Sequence, residues 1–218
     1  RKFAVHFAMI KLTDGECQYL VKYVKSNFGI DLGKKRILLE GRLSNYLMER
    51  GHTSFTDYIK MVESDKTGQE VTILLNKVTT NHTYFMREAE HFDILRQTVL
   101  PEMERRVLER DLRTWCAASS TGEEPYTLAM ILQDHFGGKI PRWDKTLLAT
   151  DLSMKVLDVA RNGIYNNEAL DKIPAGWKTK YLSKFDSGSM QVKPEIRKEV
   201  VFRRFNLMDP LPFKGPLD

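Results

Sequence analysis

Cysteine is scarce in this 218-residue chain, which has only Cys17 and Cys116. The two lie far apart and outside any metal-ligand spacing. That excludes a disulfide framework and a cysteine-rich zinc site, and reads as free buried thiols in a reducing cytoplasm. Long apolar runs are missing too. None approaches the roughly 20 residues that a membrane-spanning helix needs, and no signal-peptide pattern opens the chain. No membrane insertion and a cytoplasmic location are therefore expected. The first residue is Arg1 rather than methionine, which suggests a trimmed sequence. A basic stripe interleaved with aromatics is absent, as is any nucleic-acid motif, so nucleic acid is not the expected partner. Repeats and low-complexity stretches are absent as well.

What is present is ordinary in bulk and uneven in detail. An apolar content of 42% and a charged content of 29% suit a globular protein of one large domain or two small ones. Net charge is +5, but residues 1–80 carry thirteen Lys and Arg against nine Asp and Glu, so most of the excess sits there. That part should attract an acidic partner more than the remainder does.

The most informative stretch is RTWCAASSTGEEPYTLAM, residues 113–130. Thr114-Trp115-Cys116-Ala117-Ala118 reads as a short strand, Ser119-Ser120-Thr121-Gly122 as a turn, and the segment from Glu123 onward as a helix. Strand, glycine turn and helix are how open α/β sheets hold a nucleotide-type cofactor. The glycine lets a ligand approach the backbone, and the helix start supplies free N–H groups. Pro125 suits the first helical turn. Glu123 and Glu124 would repel a phosphate and suit a ligand carrying hydroxyls or an ammonium. The dinucleotide fingerprint's second and third glycines are missing, which argues against a nicotinamide dehydrogenase.

About thirty residues on, Thr146-Leu147-Leu148-Ala149-Thr150 reads as a second buried strand with Asp151 at its tip, where dinucleotide folds grip a ribose diol. The alternative is that Asp151 merely caps the helix that follows.

Residues 12–78 read as helices only. Thr13-Asp14-Gly15-Glu16 resembles a capping box that starts a helix through Tyr19, Leu20, Tyr23 and Val24. A second helix spans roughly Gly33 to Arg50, with Leu39, Leu43, Tyr46 and Leu47 at core spacing. A third runs from Phe55 to Val62, and a fourth carries Val71, Leu74, Leu75 and Val78. Lys35 and Arg42 lie seven apart on the second helix and so share a face. That face reads as a solvated surface or as a dock for an acidic helix.

Residues 79–112 read as a polar bridge leading into an amphipathic helix with Phe92, Leu95, Val99 and Leu100. Asn81, Thr83 and Arg87 place donors just upstream of the first strand, and Phe85 could supply an apolar wall. After Gly163 the α/β rhythm lapses over about 165–199, with a helical piece from Pro174 to Leu182 and a hairpin around Gly188. Val200-Val201-Phe202 reads as a third strand of the main sheet. Asn206 just beyond it would face a ligand edge or settle as a turn residue.

Three separated blocks, TTNHTYFMREAEHF, ASSTGEEPYTLAM with LLATDLS, and VVFRRFNLMDPLPF, resemble the CheR family. These are S-adenosylmethionine-dependent methyltransferases that esterify glutamates on bacterial chemoreceptors. The resemblance implies a Rossmann-like α/β methyltransferase sheet over 113–218, incomplete at its C-terminus, with a small inserted subdomain. It also implies a small all-α domain over 1–78 that docks the receptor. It assigns Asn81, Thr83 and Arg87 to a segment closing over the cofactor, and Gly122 and Glu124 to the glycine turn. Asp151 falls on the ribose, Asn206 and Leu207 beside the adenine, and Lys35, Arg36 and Arg42 on the helix facing the receptor's acidic methylation helix. Arg87 would position a carboxylate, either the incoming one or the cofactor's own. The implied product is S-adenosylhomocysteine, the implied enzyme a monomer needing no metal.

Two residues depart from the family pattern: Met86 replaces an aromatic and Ser119 a common cysteine. The hairpin looks short beside members that bind a receptor's C-terminal pentapeptide, which implies a pentapeptide-independent enzyme. The chain also stops before the family's next strand, leaving a half sheet with an open edge. Competing readings keep the methyltransferase fold with another acceptor, or make the chain a non-catalytic S-adenosyl-ligand-binding scaffold.

Overall fold

The structure is a computed structural model that describes residues 9–33, 35–79 and 82–218. The chain divides into two compact units, Arg1–Thr80 and Asn81–Asp218.

Within the first unit four helices are described: α1 (Asp14–Phe28), α2 (Arg36–Glu49), α3 (Phe55–Ser64) and α4 (Gln69–Val78). Thr13 and Glu16 form the expected reciprocal capping box, and Gly29 ends α1 in the left-handed conformation. Leu39, Leu43, Tyr46 and Leu47 are buried, as are Leu20, Phe55, Tyr58 and Leu74. Tyr19 of α1 lies at the rim of this unit, with its hydroxyl donating to Glu63.

Helix α2 starts at Arg36, later than the expected Gly33, because the Gly33 N–H donates to the Asp31 carboxylate and the Lys35 N–H to Leu32 O. This local turn uses the groups a helix start would need. Lys35 is therefore the residue before the helix, not its first turn.

The second unit opens with α5 (Ala89–Ile94), a π-helical turn (Leu95–Val99) and α6 (Leu100–Arg106). The single amphipathic helix expected here is interrupted because Pro101 lacks an N–H and its ring crowds the carbonyl of the turn before it. Phe92 and Leu100 still reach the core of this unit.

A three-stranded parallel sheet follows, ordered β1 (Thr114–Ala117), β2 (Leu147–Asp151), β6 (Val200–Arg204). Thr114 pairs with Leu147 and Ala117 with Thr150; Leu147 pairs with Val200 and Asp151 with Arg204. The strands thus end together at their carboxyl ends. Helices α7 (Glu123–Phe136) and α8 (Met154–Asn162) connect them. Buried Tyr126, Met130, Ala149, Leu157 and Phe202 fill the space around the sheet. On β6 the Phe202 carbonyl accepts from Arg161 at 3.4 Å and from Arg203 at 3.1 Å, which blunts that edge against pairing with another strand.

Between β2 and β6 lies a second small sheet, antiparallel and ordered β3 (Ile164–Asn166), β5 (Ser189–Val192), β4 (Leu182–Lys184). A 3-10 turn (Glu168–Leu170) and α9 (Ala175–Tyr181) join β3 to β4, and α10 (Pro194–Arg197) leads from β5 to β6. Among the described residues no helix is long and apolar enough to cross a membrane.

Candidate cofactor site

The site lies where β1 and β2 end. After Ala117 the chain turns sharply: Ala118, Ser120 and Gly122 all have positive φ, at 59°, 49° and 99°. Two of the three are not glycine, so the turn is strained and must be held by its surroundings. Neighbouring β2 supplies part of that hold. The Ser119 N–H donates to Thr150 O at 2.7 Å, and the Ser120 N–H to Asp151 Oδ2 at 2.8 Å.

Asp151 is half-buried, and its other oxygen, Oδ1, accepts from the Ser153 N–H at 2.9 Å. Both carboxylate oxygens are oriented by backbone donors, yet an ionised carboxylate has about four acceptor positions and keeps capacity for a ligand's hydroxyls. The residue that caps α8 is Ser153, whose hydroxyl accepts from the Val156 N–H. Asp151 is therefore not the helix cap of the alternative reading.

Gly122 opens α7 at φ 99°, and the space it leaves is filled by the protein's own groups. A Cβ there would lie 2.8 Å from the Tyr165 hydroxyl and 2.9 Å from the Ala160 Cβ. The two glutamates that follow behave differently. Glu123 is buried and takes a 2.6 Å hydrogen bond from the Thr121 hydroxyl on Oε2. Burial pushes its carboxyl pKa up, against the opposing effect of that bond. Glu124 is exposed, and its Oε1 accepts from the Cys116 thiol at 3.3 Å. Burial first, and the Glu124 carboxylate next, push the thiol well above its ordinary range, so it stays a donor. Composition and spacing treat these adjacent acids alike; the family resemblance alone singles out Glu124.

The Glu123 arrangement carries a stability prediction. A folded-state pKa above the unfolded one means that the folded chain binds the proton more tightly. Stability therefore falls as pH rises from the ordinary carboxylate value through the raised one. Glu123→Gln keeps an acceptor for Thr121 and removes the buried charge. It is expected to melt higher than the parent at about pH 8 and equal to it at about pH 4. Thermal melts at the two pH values check this, and a pH-independent difference would contradict it.

Asn206 follows β6. The Phe205 N–H donates to Asp151 O at 3.1 Å, which sets Asn206 beside the end of β2. Its Oδ1 accepts from the Met208 N–H at 3.1 Å, the turn role that the sequence also allowed. Leu207 is exposed. Trp115 steadies this corner: its indole N–H donates to the Thr150 hydroxyl at 3.0 Å, and its ring meets Phe205 and Phe213.

Of the upstream segment, Asn81 lies outside the described residues, and Thr83 is half-buried. Arg87 is exposed, donates to His82 O at 3.2 Å, and stands between Met86 and Glu88, both left-handed. Two residues before it, Phe85 is fully buried and packs edge-on against Tyr165, with centroids 4.9 Å apart. Gly122, Glu124, Asp151 and Asn206 thus gather at the carboxyl ends of the sheet. The Arg87 segment connects to the turn through Phe85 and Tyr165.

The cations of the helical unit are a separate matter. Arg36 pairs with Asp14 and donates to Leu12 O at 2.5 Å. Arg42 donates to Lys77 O and Thr79 O, satisfying carbonyls at the end of α4. Lys35 is half-buried.

Comparison with known proteins accounts for both units. Residues 81–218 match the model described as CheR methyltransferase, SAM binding domain, and residues 15–79 match CheR methyltransferase, all-alpha domain. The chain belongs to the CheR methyltransferase family. A chemotaxis protein methyltransferase of Borreliella burgdorferi is 40% identical to this CheR chain over 214 residues, covering 96% of it and 76% of the relative. The chemotaxis protein methyltransferase of Escherichia coli is 33% identical over 203 residues, 91% of this chain and 68% of the relative. A probable chemotaxis protein methyltransferase of Rhizobium etli is 33% identical over 200 residues, covering 89% and 74%. Like the family it belongs to, this CheR chain is an S-adenosylmethionine-dependent methyltransferase.

The donor set fits that cofactor. S-adenosylmethionine carries no phosphate but has a ribose diol, an ammonium and a sulfonium. Beside the turn stand carboxylates, Glu124 on α7 and Asp151 at the end of β2, where a phosphate site would have cations.

Proposed function

We propose that this CheR-family chain transfers the methyl group of S-adenosylmethionine to glutamate side chains on the cytoplasmic helices of bacterial chemoreceptors, releasing S-adenosylhomocysteine. The observation that carries the reading is Asp151, its two oxygens oriented by Ser120 and Ser153 at the end of β2. In this reading Asp151 accepts from both ribose hydroxyls, and Glu124 meets the ammonium. Asn206 and Leu207 line the adenine, and Asn81, Thr83 and Arg87 close over the ligand.

When bound, the cofactor supplies a methyl group already activated by its sulfonium. Little else is asked of the protein. An ionised glutamate needs no general base, so the chain's residues orient the two partners and exclude water. Arg87 positions a carboxylate, either the acceptor's or the cofactor's. The excess positive charge of residues 1–80, with Lys35, Arg36 and Arg42, favours an acidic helix as partner. The enzyme is read as a monomer in the cytoplasm.

A second reading keeps the same transfer with a different acceptor. The observation behind it is that Arg36 and Arg42 already bond within their own unit. Incubation with methyl-labelled S-adenosylmethionine and chemoreceptor cytoplasmic fragments separates the two. Base-labile label on the fragment, the mark of a carboxyl methyl ester, is expected. No label on any fragment, with the cofactor still bound, would move the proposal to the second reading.

A further inference from the structure

Tyr165 belongs to the inserted sheet by chain position and to the glycine turn by contact. It sits at the centre of β3, paired with Met190 of β5. Its side chain is buried, and burial holds its phenol pKa well above the ordinary value, so the hydroxyl stays a donor. That hydroxyl donates to Thr121 O at 2.7 Å. It also occupies the place that a Gly122 side chain would need. The ring packs edge-on against Phe85 and Tyr126, with centroids 4.9 Å and 6.3 Å away. One residue therefore touches the Arg87 segment, the turn and α7.

The turn it holds is left-handed at Ala118, Ser120 and Gly122, and strained at the two of these that are not glycine. Backbone in such conformations persists only where its surroundings over-determine it. Thr150 and Asp151 hold the side facing the main sheet, whereas the bond from Tyr165 comes from the inserted one.

We infer that Tyr165 is a positioning residue for the cofactor: by pinning the Thr121 carbonyl it fixes Gly122 and Glu124 before the cofactor arrives. The inserted sheet is thereby part of the cofactor site. This rests on the reading of the turn as the S-adenosylmethionine site. Preorganisation of this kind acts on affinity, because an unpinned turn must be ordered at the moment of binding.

The test is Tyr165→Phe, which removes one oxygen and keeps the ring. The Kd for S-adenosylhomocysteine, by calorimetry, and the KM for S-adenosylmethionine are expected to rise about five-fold, the worth of one neutral hydrogen bond. The kcat at saturating cofactor should be unchanged. Hydrogen exchange over residues 118–124 should quicken, with β1 and β2 unaltered. Unchanged Kd and exchange would overturn the inference, as would a loss of kcat and melting temperature with Kd intact.

Should the variant not fold, the parent labelled with 3-fluorotyrosine decides. The Tyr165 resonance, assigned from Tyr→Phe variants at the other positions, is expected to shift on adding S-adenosylhomocysteine; no shift would overturn the inference. Binding by the parent and its loss in Asp151→Ala test the underlying reading. If both hold while Tyr165→Phe binds like the parent, this inference alone falls. If the parent does not bind, both fall.

Discussion

Gly122→Ala is expected to lower the melting temperature by about 10 °C and to weaken S-adenosylhomocysteine binding by more than tenfold. Two costs add. Alanine at φ 99° is strained by roughly 1–2 kcal/mol or more. Its Cβ would lie within 3 Å of the Tyr165 hydroxyl and the Ala160 side chain, and close to the Ala160 backbone on α8. Overpacking of that kind costs about 1–3 kcal/mol. For a unit of this size, a total near 3 kcal/mol corresponds to a shift on the order of 10 °C. Relief by movement displaces either Tyr165 or the turn itself, so affinity falls together with stability. Calorimetry and thermal melting check both, and a variant that melts and binds like the parent would show that the turn is not held as described.

Asp151→Ala is expected to weaken S-adenosylhomocysteine binding by about a hundredfold. Hydrogen bonds to a charged group are worth about 1.5–3 kcal/mol each, and a ribose diol offers two. Losing about 3 kcal/mol corresponds to about two orders of magnitude in Kd. Part of the loss could come through the turn, because Asp151 also orients the Ser120 N–H. A double cycle with a ligand lacking one ribose hydroxyl separates the two contributions. The parent should bind the deoxy ligand more weakly than the native one, whereas Asp151→Ala should bind both alike. If the variant discriminates as strongly as the parent, the carboxylate does not read the ribose.

Much of the framework is legible in the residues because local physics decides it. The Thr13–Glu16 pair announces the start of α1 and forms the predicted reciprocal cap. The short apolar runs at 114–118, 146–150 and 200–202 fall on the three parallel strands. The turn residues and Asp151 meet because the strands lie in register.

Where the residues mislead, a nearby group competes. Asp31 draws the Gly33 N–H into a turn and delays α2. Pro101 forces the π-helical turn into a helix whose apolar spacing looks continuous. Glu123 and Glu124 are the same residue type side by side. Only the rotation of α7 after left-handed Gly122 sends one inward to Thr121 and the other outward beside Cys116.

The contacts of Tyr165 with the turn and of Cys116 with Glu124 are not legible in the sequence for a different reason. Each joins residues distant in sequence or on different elements, and no spacing rule encodes that. The nearest signal for Tyr165 was a glycine followed by a β-prone pair, Gly163-Ile164-Tyr165, just after α8.

A crystal structure of the chain with S-adenosylhomocysteine tests the central claim most directly. The account predicts ligand density over the Ser119–Gly122 turn, the ribose hydroxyls within hydrogen-bond distance of the Asp151 carboxylate, and the amino group facing Glu124. Density in another cleft, or a ligand that leaves Asp151 and Glu124 without contact, would contradict it.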